Sequence, residues 1–254
     1  MQGVPHYLSC GGDGQVTEDG TINRIVGISG SPRHGFTELF VAEVLKQARE
    51  ISGLDTQLLS LAGKRILSCD DCKACNKRDL PRLCKIQDDW YDIVSELLRP
   101  GLVGLVIGGP VYTFNPNSKL VAFMERFTVF HQRNYFPDAH SETAPDWSRT
   151  AAGVVAVGGG RNGGQEATMT SLINWLLTNG FAIVGCYPRS SIGVSCYEPT
   201  GSTAVSDERG IKLAKILAAN IVKTGLALQG APEEKPMAYH EPADLSLLGT
   251  RIGS

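Results

Sequence analysis

Residues Leu102–Gly109 (Leu-Val-Gly-Leu-Val-Ile-Gly-Gly) run for eight positions without one polar side chain. Such a strand has no face that tolerates water, so it belongs at the centre of a parallel sheet covered on both sides. Neither this run nor Ala151–Gly160 is long enough to span a bilayer. The cover comes from amphipathic segments that alternate with further short apolar runs, the pattern of an α/β sheet with helices on both faces.

Arg24–Ser29 reads as the first strand, and Thr37–Ser52 follows as a helix, with apolar residues at Phe40, Val44 and Ala48 and again at Val41 and Leu45. Asp55–Leu61 reads as the second strand. Asp88–Leu98 is a helix with Asp88 or Asp89 at its N-terminus. After the central strand come a helix at Pro116–Val129, a strand at Thr150–Val157 and a helix at Gln165–Thr178. Ala182–Tyr187 and Asp207–Leu226 complete the pattern as the fifth strand and last helix. Three stretches stand outside this unit of 24–228: an N-terminal extension (1–23), a polar and aromatic insert (131–149) and a tail (229–254). Segments of that length are usually functional, oligomer-forming or disordered.

With 42% hydrophobic residues, 20% charged residues and a formal net charge of −2, the chain lacks the basic bias of nucleic-acid and membrane binders. Its first twenty residues have neither a basic region nor an apolar core, so a cytoplasmic protein without a signal peptide is expected.

Between the first strand and first helix lies Ser29-Gly-Ser-Pro32-Arg-His-Gly-Phe-Thr37. A helix N-terminus presents unpaired N–H groups and the positive end of the helix dipole, and an anion settles there. Gly30 lets the backbone approach a phosphate, while Ser29, Ser31 and Thr37 offer hydroxyls and Arg33 offers charge. An ordinary strand-to-helix turn capped by Thr37 is the plainer alternative. Neither Gly-Lys-Ser/Thr nor Gly-x-Gly-x-x-Gly is present, which disfavours ATP and a dinucleotide site of the Rossmann type.

Ligands of open α/β sheets sit outside the carboxyl ends of the strands. Pro110-Val111-Tyr112-Thr113-Phe114 leaves the central strand there and offers backbone groups and a flat surface to an aromatic ring. Gly158-Gly159-Gly160-Arg161 leaves the next strand and would approach the same crevice, its amides and Arg161 placed to stabilise negative charge. A solvated loop position is the alternative for Arg161.

Of seven cysteines, four fall within sixteen residues: Cys69, Cys72, Cys75 and Cys84. Three thiolates two residues apart on a tight loop can wrap three corners of a cubane [4Fe–4S] cluster, with Cys84 as the fourth ligand. Zinc prefers two separated Cys-x2-Cys pairs, and free thiols without metal are the remaining alternative. Lys73, Lys77, Arg78, Arg82 and Lys85 surround the cysteines, to offset cluster charge or attract an acidic donor. Cys10, Cys186 and Cys196 are read as small hydrophobes.

The stretches Gly27–Arg33, Cys69–Cys75, Asp88-Asp89 and Gly108–Tyr112, in this order, resemble the NAD(P)H-dependent FMN reductase superfamily of flavodoxin-like proteins, and within it the iron–sulfur flavoproteins. The resemblance implies a three-layer sandwich on a five-stranded parallel sheet of order 2-1-3-4-5. It implies FMN phosphate held by Ser29, Ser31, Arg33 and Thr37, in the loop that includes Pro32. The flavin ring would be held by Pro110, Val111, Tyr112, Phe114 and the Gly158–Gly160 turn, with Thr113 and Arg161 beside them. It also implies a [4Fe–4S] cluster, ferredoxin or NAD(P)H as electron donor, and a homodimer or homotetramer. Family members typically have a shorter last cysteine gap than the eight residues between Cys75 and Cys84. Two other readings stay open: a cluster-free NAD(P)H-dependent FMN or quinone reductase, and a flavodoxin-like electron carrier without a small-molecule substrate.

Overall fold

The structure, a computed structural model, describes residues 20–142, 144–199 and 206–231. The expectations for Cys10 and for most of the N-terminal extension and tail lie outside the described residues.

The expected central strand is β3 (Leu102–Tyr112). It is flanked by β1 (Arg24–Ser29) and β5 (Ala151–Gly158), with β2 (Asp55–Ser60) beyond β1. The fifth position is shared by two short strands, β6 (Ala182–Ile183) and β7 (Val194–Tyr197), which both pair with β5. These pairings are all parallel. The sheet therefore runs in the expected order, but it counts seven strands rather than five. The chain leaves the fifth position after Val184, whose amide donates to the Ala152 carbonyl (2.8 Å). The Cys186 amide donates instead to the Ser191 carbonyl (2.9 Å), and the excursion returns at Val194. The seventh strand, β4 (Asn115–Pro116), folds back antiparallel on the end of β3.

Helices α1 (Phe36–Ser52) and α6 (Glu208–Gln229) cover one face, with α1 contributing Phe40, Val41, Val44 and Leu45 to a core that includes Val103 and Val106 of β3. The other face packs α2 (Trp90–Leu98), α3 (Ser118–Glu125), α4 (Thr128–Tyr135) and α5 (Gln165–Thr178) against Leu105 and Ile107. The single helix expected at Pro116–Val129 is two. Between α3 and α4 the amides of Phe127 and Val129 bond three residues back, to Met124 and Arg126, a tightened joint where the chain changes direction.

Two arginines close helix C-termini. Arg24 donates to the carbonyls of Glu96 (2.7 Å), Arg99 (2.6 Å) and Pro100 (3.3 Å) after α2. Burial, with Arg99 nearby, lowers its pKa to about 10. Arg149 does the same for Leu228, Gln229 and Ala231 at the end of α6. No helix among the described residues is long and apolar enough to cross a membrane.

α6 buries Leu213, Ala214, Leu217, Ala218, Ile221 and Val222, a stripe at helical spacing. It lies close on β3 because Gly225 has no side chain: a Cβ there would sit 2.4 Å from the Val103 carbonyl oxygen. Gly225→Ala should therefore cost about 1–3 kcal/mol through overpacking, despite the better helix propensity of alanine. Urea unfolding checks this, and an unchanged midpoint would contradict the close approach.

Candidate functional site

The three segments singled out at strand ends share one edge of the sheet. Ser29 is in register with Ser60 of β2 and Gly108 of β3, and Pro110 with Val157 of β5. The Gly30 amide donates to the Gly108 carbonyl (2.8 Å) and the Leu61 amide to the Ser29 carbonyl (2.9 Å), which fixes the three strand ends relative to one another.

Thr37 does not cap α1. The N-cap is Gly35, in extended backbone, and no side chain bonds the first-turn amides. Ser29 Oγ is buried without a hydrogen-bond partner. A Cβ at Gly30 would come within 2.5 Å of Leu120, so the loop lies tight against α3. Ser31 Oγ is occupied within the loop, donating to the Arg33 carbonyl (2.5 Å) and accepting from its amide (3.3 Å). Arg33 is exposed, and the His34 ring lies 3.0 Å from both carboxylate oxygens of Glu38. An uncapped helix start over an orphaned hydroxyl is a polar arrangement that lacks its acceptor, and a phosphate fits it.

The second loop is a hairpin. Tyr112 pairs with Asn115, and the two residues between them, Thr113 (φ 50°) and Phe114 (φ 64°), are both left-handed. That is the two-residue turn that suits twisted strands, but it is normally built from Asn and Gly, so here it carries backbone strain. Asn115 Nδ2 braces it on the Thr113 carbonyl (3.0 Å). Gly164 (φ 109°) braces it from the other side, since a Cβ there would lie 2.5 Å from Phe114 Cα. The strained turn holds Tyr112 and Phe114 at 47% and 60% exposure, with Pro110 and Val111 half-buried beneath.

Gln165 pins the glycine loop: its amide nitrogen donates to the Gly160 carbonyl (2.7 Å) and its oxygen accepts from the Gly163 amide (2.9 Å). Gly158 is buried, while Gly159, Gly160 and Arg161 are exposed. The Arg161 guanidinium lies 5.0 Å from the Tyr197 ring centroid, at the β7 edge. Thr168 Oγ1 on α5 and Asn117 Oδ1 before α3 are buried without partners, like Ser29 Oγ.

The cysteine segment connects β2 to α2. Its two ends are held by one ion pair, Arg126 with Asp88, at 2.5 Å with the side chains 1% and 0% exposed. Arg126 also donates to the carbonyls of Leu67, just before Cys69, and Ile86, just after Cys84. Asp88 accepts from the amides of Leu67 (2.8 Å) and Trp90 (3.2 Å), so it does serve the start of α2. Asp89 instead accepts from the Arg65 amide (2.7 Å). Burial pushes the Asp88 carboxyl up, but these hydrogen bonds outweigh it and hold it below the usual range. The guanidinium rests on the Trp90 ring, 4.7 Å from its centroid.

All four thiols are partly exposed, and Cys75 and Cys84 pack against the core. Burial raises the Cys75 pKa, and its three companion cysteines add to that. Asp71 and Lys73 on either side of Cys72, and Leu83 before Cys84, have positive φ, which curls the segment. Among the described residues, no three His, Cys, Asp or Glu side chains already stand in metal-coordinating geometry. Four thiols on one curled segment are nonetheless a donor set that suits an iron–sulfur cluster. The expected cationic ring is largely neutralised: Lys73 pairs with Asp71 (2.5 Å), Lys85 with Asp70 (3.3 Å) and Arg82 with Asp92.

The insert and the long cysteine gap belong together. Asp79, within the gap, accepts from the Ser141 hydroxyl (2.6 Å) and amide (2.7 Å), lies 3.0 Å from His140 Nδ1 and is 3.5 Å from Arg133. These contacts hold its carboxyl well below the usual range. Trp147, further along the insert, is buried and stacks on Phe181 (5.0 Å). Sequence reasoning missed both anchors. The usable signal for the first was Arg126 itself, a cation among Val121, Ala122, Phe123, Met124 and Phe127, where a buried charge needs a partner.

Residues 23–190 match the profile of the NADPH-dependent FMN reductases. The chain is 30% identical over 206 residues to an iron–sulfur flavoprotein of Methanocaldococcus jannaschii, covering 79% of this chain and 96% of that one. It is 29% identical over 195 residues to an iron–sulfur flavoprotein of Methanosarcina thermophila, covering 76% and 93%. Among solved structures, a WrbA-like flavodoxin from Agrobacterium tumefaciens superimposes with a TM-score of 0.51 at 12% identity, covering 81% of this chain and 98% of that one.

Two outcomes follow from the anchors. Asp88→Asn leaves the Arg126 charge buried without its counter-charge and should cost about 3–5 kcal/mol in urea unfolding; a loss under about 1 kcal/mol would contradict the pairing. Asp79→Asn should release the insert, so that trypsin cuts several-fold faster at Lys77, Arg78 or Arg82. Because the native Asp79 carboxyl is held low, its contribution is complete above the ordinary aspartate value of about 3.9 and fades only as pH falls further. Unchanged cleavage of the variant at pH 7 would refute the docking.

Proposed function

The chain belongs to the NADPH-dependent FMN reductase family and is a flavin-dependent oxidoreductase, and on that premise we propose that it is an iron–sulfur flavoprotein that passes electrons between a [4Fe–4S] cluster and FMN. The observation that carries this reading is the position of the cysteine segment. It leaves the sheet at Leu61, whose amide is bonded to Ser29 of the phosphate loop, and is closed at its far end by Asp88 and Arg126. Lys119 of α3 adds a second tie, donating to the carbonyls of Leu61 (3.2 Å) and Lys64 (2.7 Å). Thiols and flavin loops thus hang from one rigid edge.

In this reading Ser29, Ser31, Arg33 and Thr37 hold the FMN phosphate, with the α1 amides as donors. Pro110, Val111, Tyr112, Thr113 and Phe114 support one side of the ring, and Gly158–Gly160 the other. Cys69, Cys72, Cys75 and Cys84 ligate the cluster. The flavin, when bound, supplies the interchange between one-electron and two-electron chemistry. The protein's own part is to position, to shield and to donate hydrogen bonds. The braced hairpin would present the exposed Tyr112 and Phe114 to the ring, and the Gln165 brace fixes the glycine-loop amides.

The orphaned hydroxyl makes a two-sided test. Ser29→Ala should weaken FMN binding about ten-fold or more, the worth of a hydrogen bond to a charged group. It should leave the apoprotein equally or more stable, because a buried unpaired hydroxyl disappears. Unchanged FMN affinity would remove Ser29 from the site. Tyr112→Ala should weaken FMN about ten-fold and alter the bound-flavin spectrum. For the reaction, the holoprotein is mixed without oxygen with reduced ferredoxin or with NADPH. Bleaching of the flavin by reduced ferredoxin supports the proposal. Rapid bleaching by NADPH in protein that holds no iron would establish the cluster-free reductase instead.

A further inference from the structure

Beyond the loops at the carboxyl ends of β1, β3 and β5, a concavity opens at the β7 edge. It consists of two adjoining compartments of about 510 and 730 Å³ that share Arg161, Ser190, Ser191, Asp207 and Arg209 in their described lining. Arg189 faces the larger compartment, and Tyr197 and Ser195 the smaller. This volume is of the size that takes a small organic molecule.

Its described lining carries four cations, Arg161, Arg189, Arg209 and Lys212, against three carboxylates, Glu166, Asp207 and Glu208. Arg161, Arg189 and Arg209 make no ion pair with any described residue, and Arg161 is steadied only by the Tyr197 ring. Of the lining acids, Asp207 spends one oxygen on the Gly210 amide and the other on the Tyr197 amide (both 2.9 Å). Glu208 pairs with Lys212 (3.8 Å). Glu166 and Asp207 are left as carboxylates without an ion pair among the described residues, against three guanidinium groups without one. Guanidinium groups that line a cleft favour carboxylate or phosphate, because their fork of donors matches two oxygens at once.

We propose that this cleft binds a small aromatic or aliphatic anion bearing a carboxylate or phosphate group, next to the flavin. Arg161 belongs to both places: it follows the Gly158–Gly160 turn and lines the cleft. The anion is thereby the substrate class this oxidoreductase would bring to its flavin. The location beside the flavin rests on the function proposed above, whereas the anion site itself does not.

The test is a calorimetric titration of the holoprotein with isophthalate, with phenyl phosphate and with uncharged isophthalamide, while the flavin absorption is followed. At least one anion should bind at least ten-fold more tightly than isophthalamide, weaken as salt is raised, and shift the flavin bands. Preference between the two anions tells carboxylate from phosphate ligands. Arg189→Ala with Arg209→Ala should lower the affinity ten-fold or more; both side chains are exposed and unpaired, so the fold does not depend on them. No binding of either anion up to about 10 mM, that is, nothing tighter than about −2.7 kcal/mol, would overturn the site. So would binding that the double variant leaves unchanged. Binding that leaves the flavin bands unmoved would overturn its placement beside the flavin. Protein that emerges without flavin still answers the calorimetric arm, so failure of the cofactor reading is told apart from failure of the cleft.

Discussion

A guanidinium and a carboxylate, both removed from water, meet beneath the cysteine segment, and much of the site's geometry follows from that contact. Burying Arg126 and Asp88 costs desolvation energy that a simple apolar pair would avoid. What the pair provides is direction. Arg126 reaches the carbonyls on both sides of the cysteines, Asp88 takes the Leu67 amide and the first amide of α2, and Trp90 lies flat under the guanidinium. The excursion between β2 and α2 is thereby closed at its neck, and all four cysteines lie on the one loop beyond it. The joint between α3 and α4 falls at Arg126, which places the cation where the neck needs it.

The remaining polar features at that edge are destabilising for the chain alone. Ser29, Asn117 and Thr168 each keep a buried polar atom without a partner, α1 starts without a side-chain cap, and Thr113 and Phe114 occupy backbone conformations that suit glycine or asparagine. Costs of this kind persist where a ligand recovers them. Their position on the loops and helix starts that follow strand ends fixed in register is the physical basis for reading that edge as a cofactor site.

Much of this was legible in the sequence because periodicity and composition respond to the same burial that builds the sheet. The all-apolar run at Leu102–Gly109 required cover on both faces, and the spacing in Gln165–Thr178 gave a helix with those bounds. The three loops at the sheet edge and the cysteine segment were legible as motifs. The interrupted fifth strand was not, since Ala182–Tyr187 looks like one continuous strand, whereas its ladder ends at Val184 and the Cys186 amide turns to the Ser191 carbonyl. Nor was the hairpin at Thr113–Phe114, which lacks the Asn or Gly that announces such a turn. Long-range anchors stayed hidden for a different reason. Nothing local links Asp79 to His140 and Ser141, or Asp88 to Arg126, because those pairings exist only once the sheet has brought distant segments together. They also revise the electrostatics: cations expected to surround the thiols are mostly paired with nearby carboxylates, and the unpaired arginines gather at the β7 edge.

The central claim is that one rigid edge carries both FMN and a [4Fe–4S] cluster, and its most direct test is an analysis of iron, sulfide and flavin on protein purified without oxygen, together with the absorption spectrum. The account predicts about four irons and four sulfides per FMN, with a broad cluster band beneath the flavin peaks, and loss of the iron but not the flavin in Cys75→Ser. Flavin without iron after reconstitution would contradict the cluster, and protein that takes up neither would contradict the account as a whole.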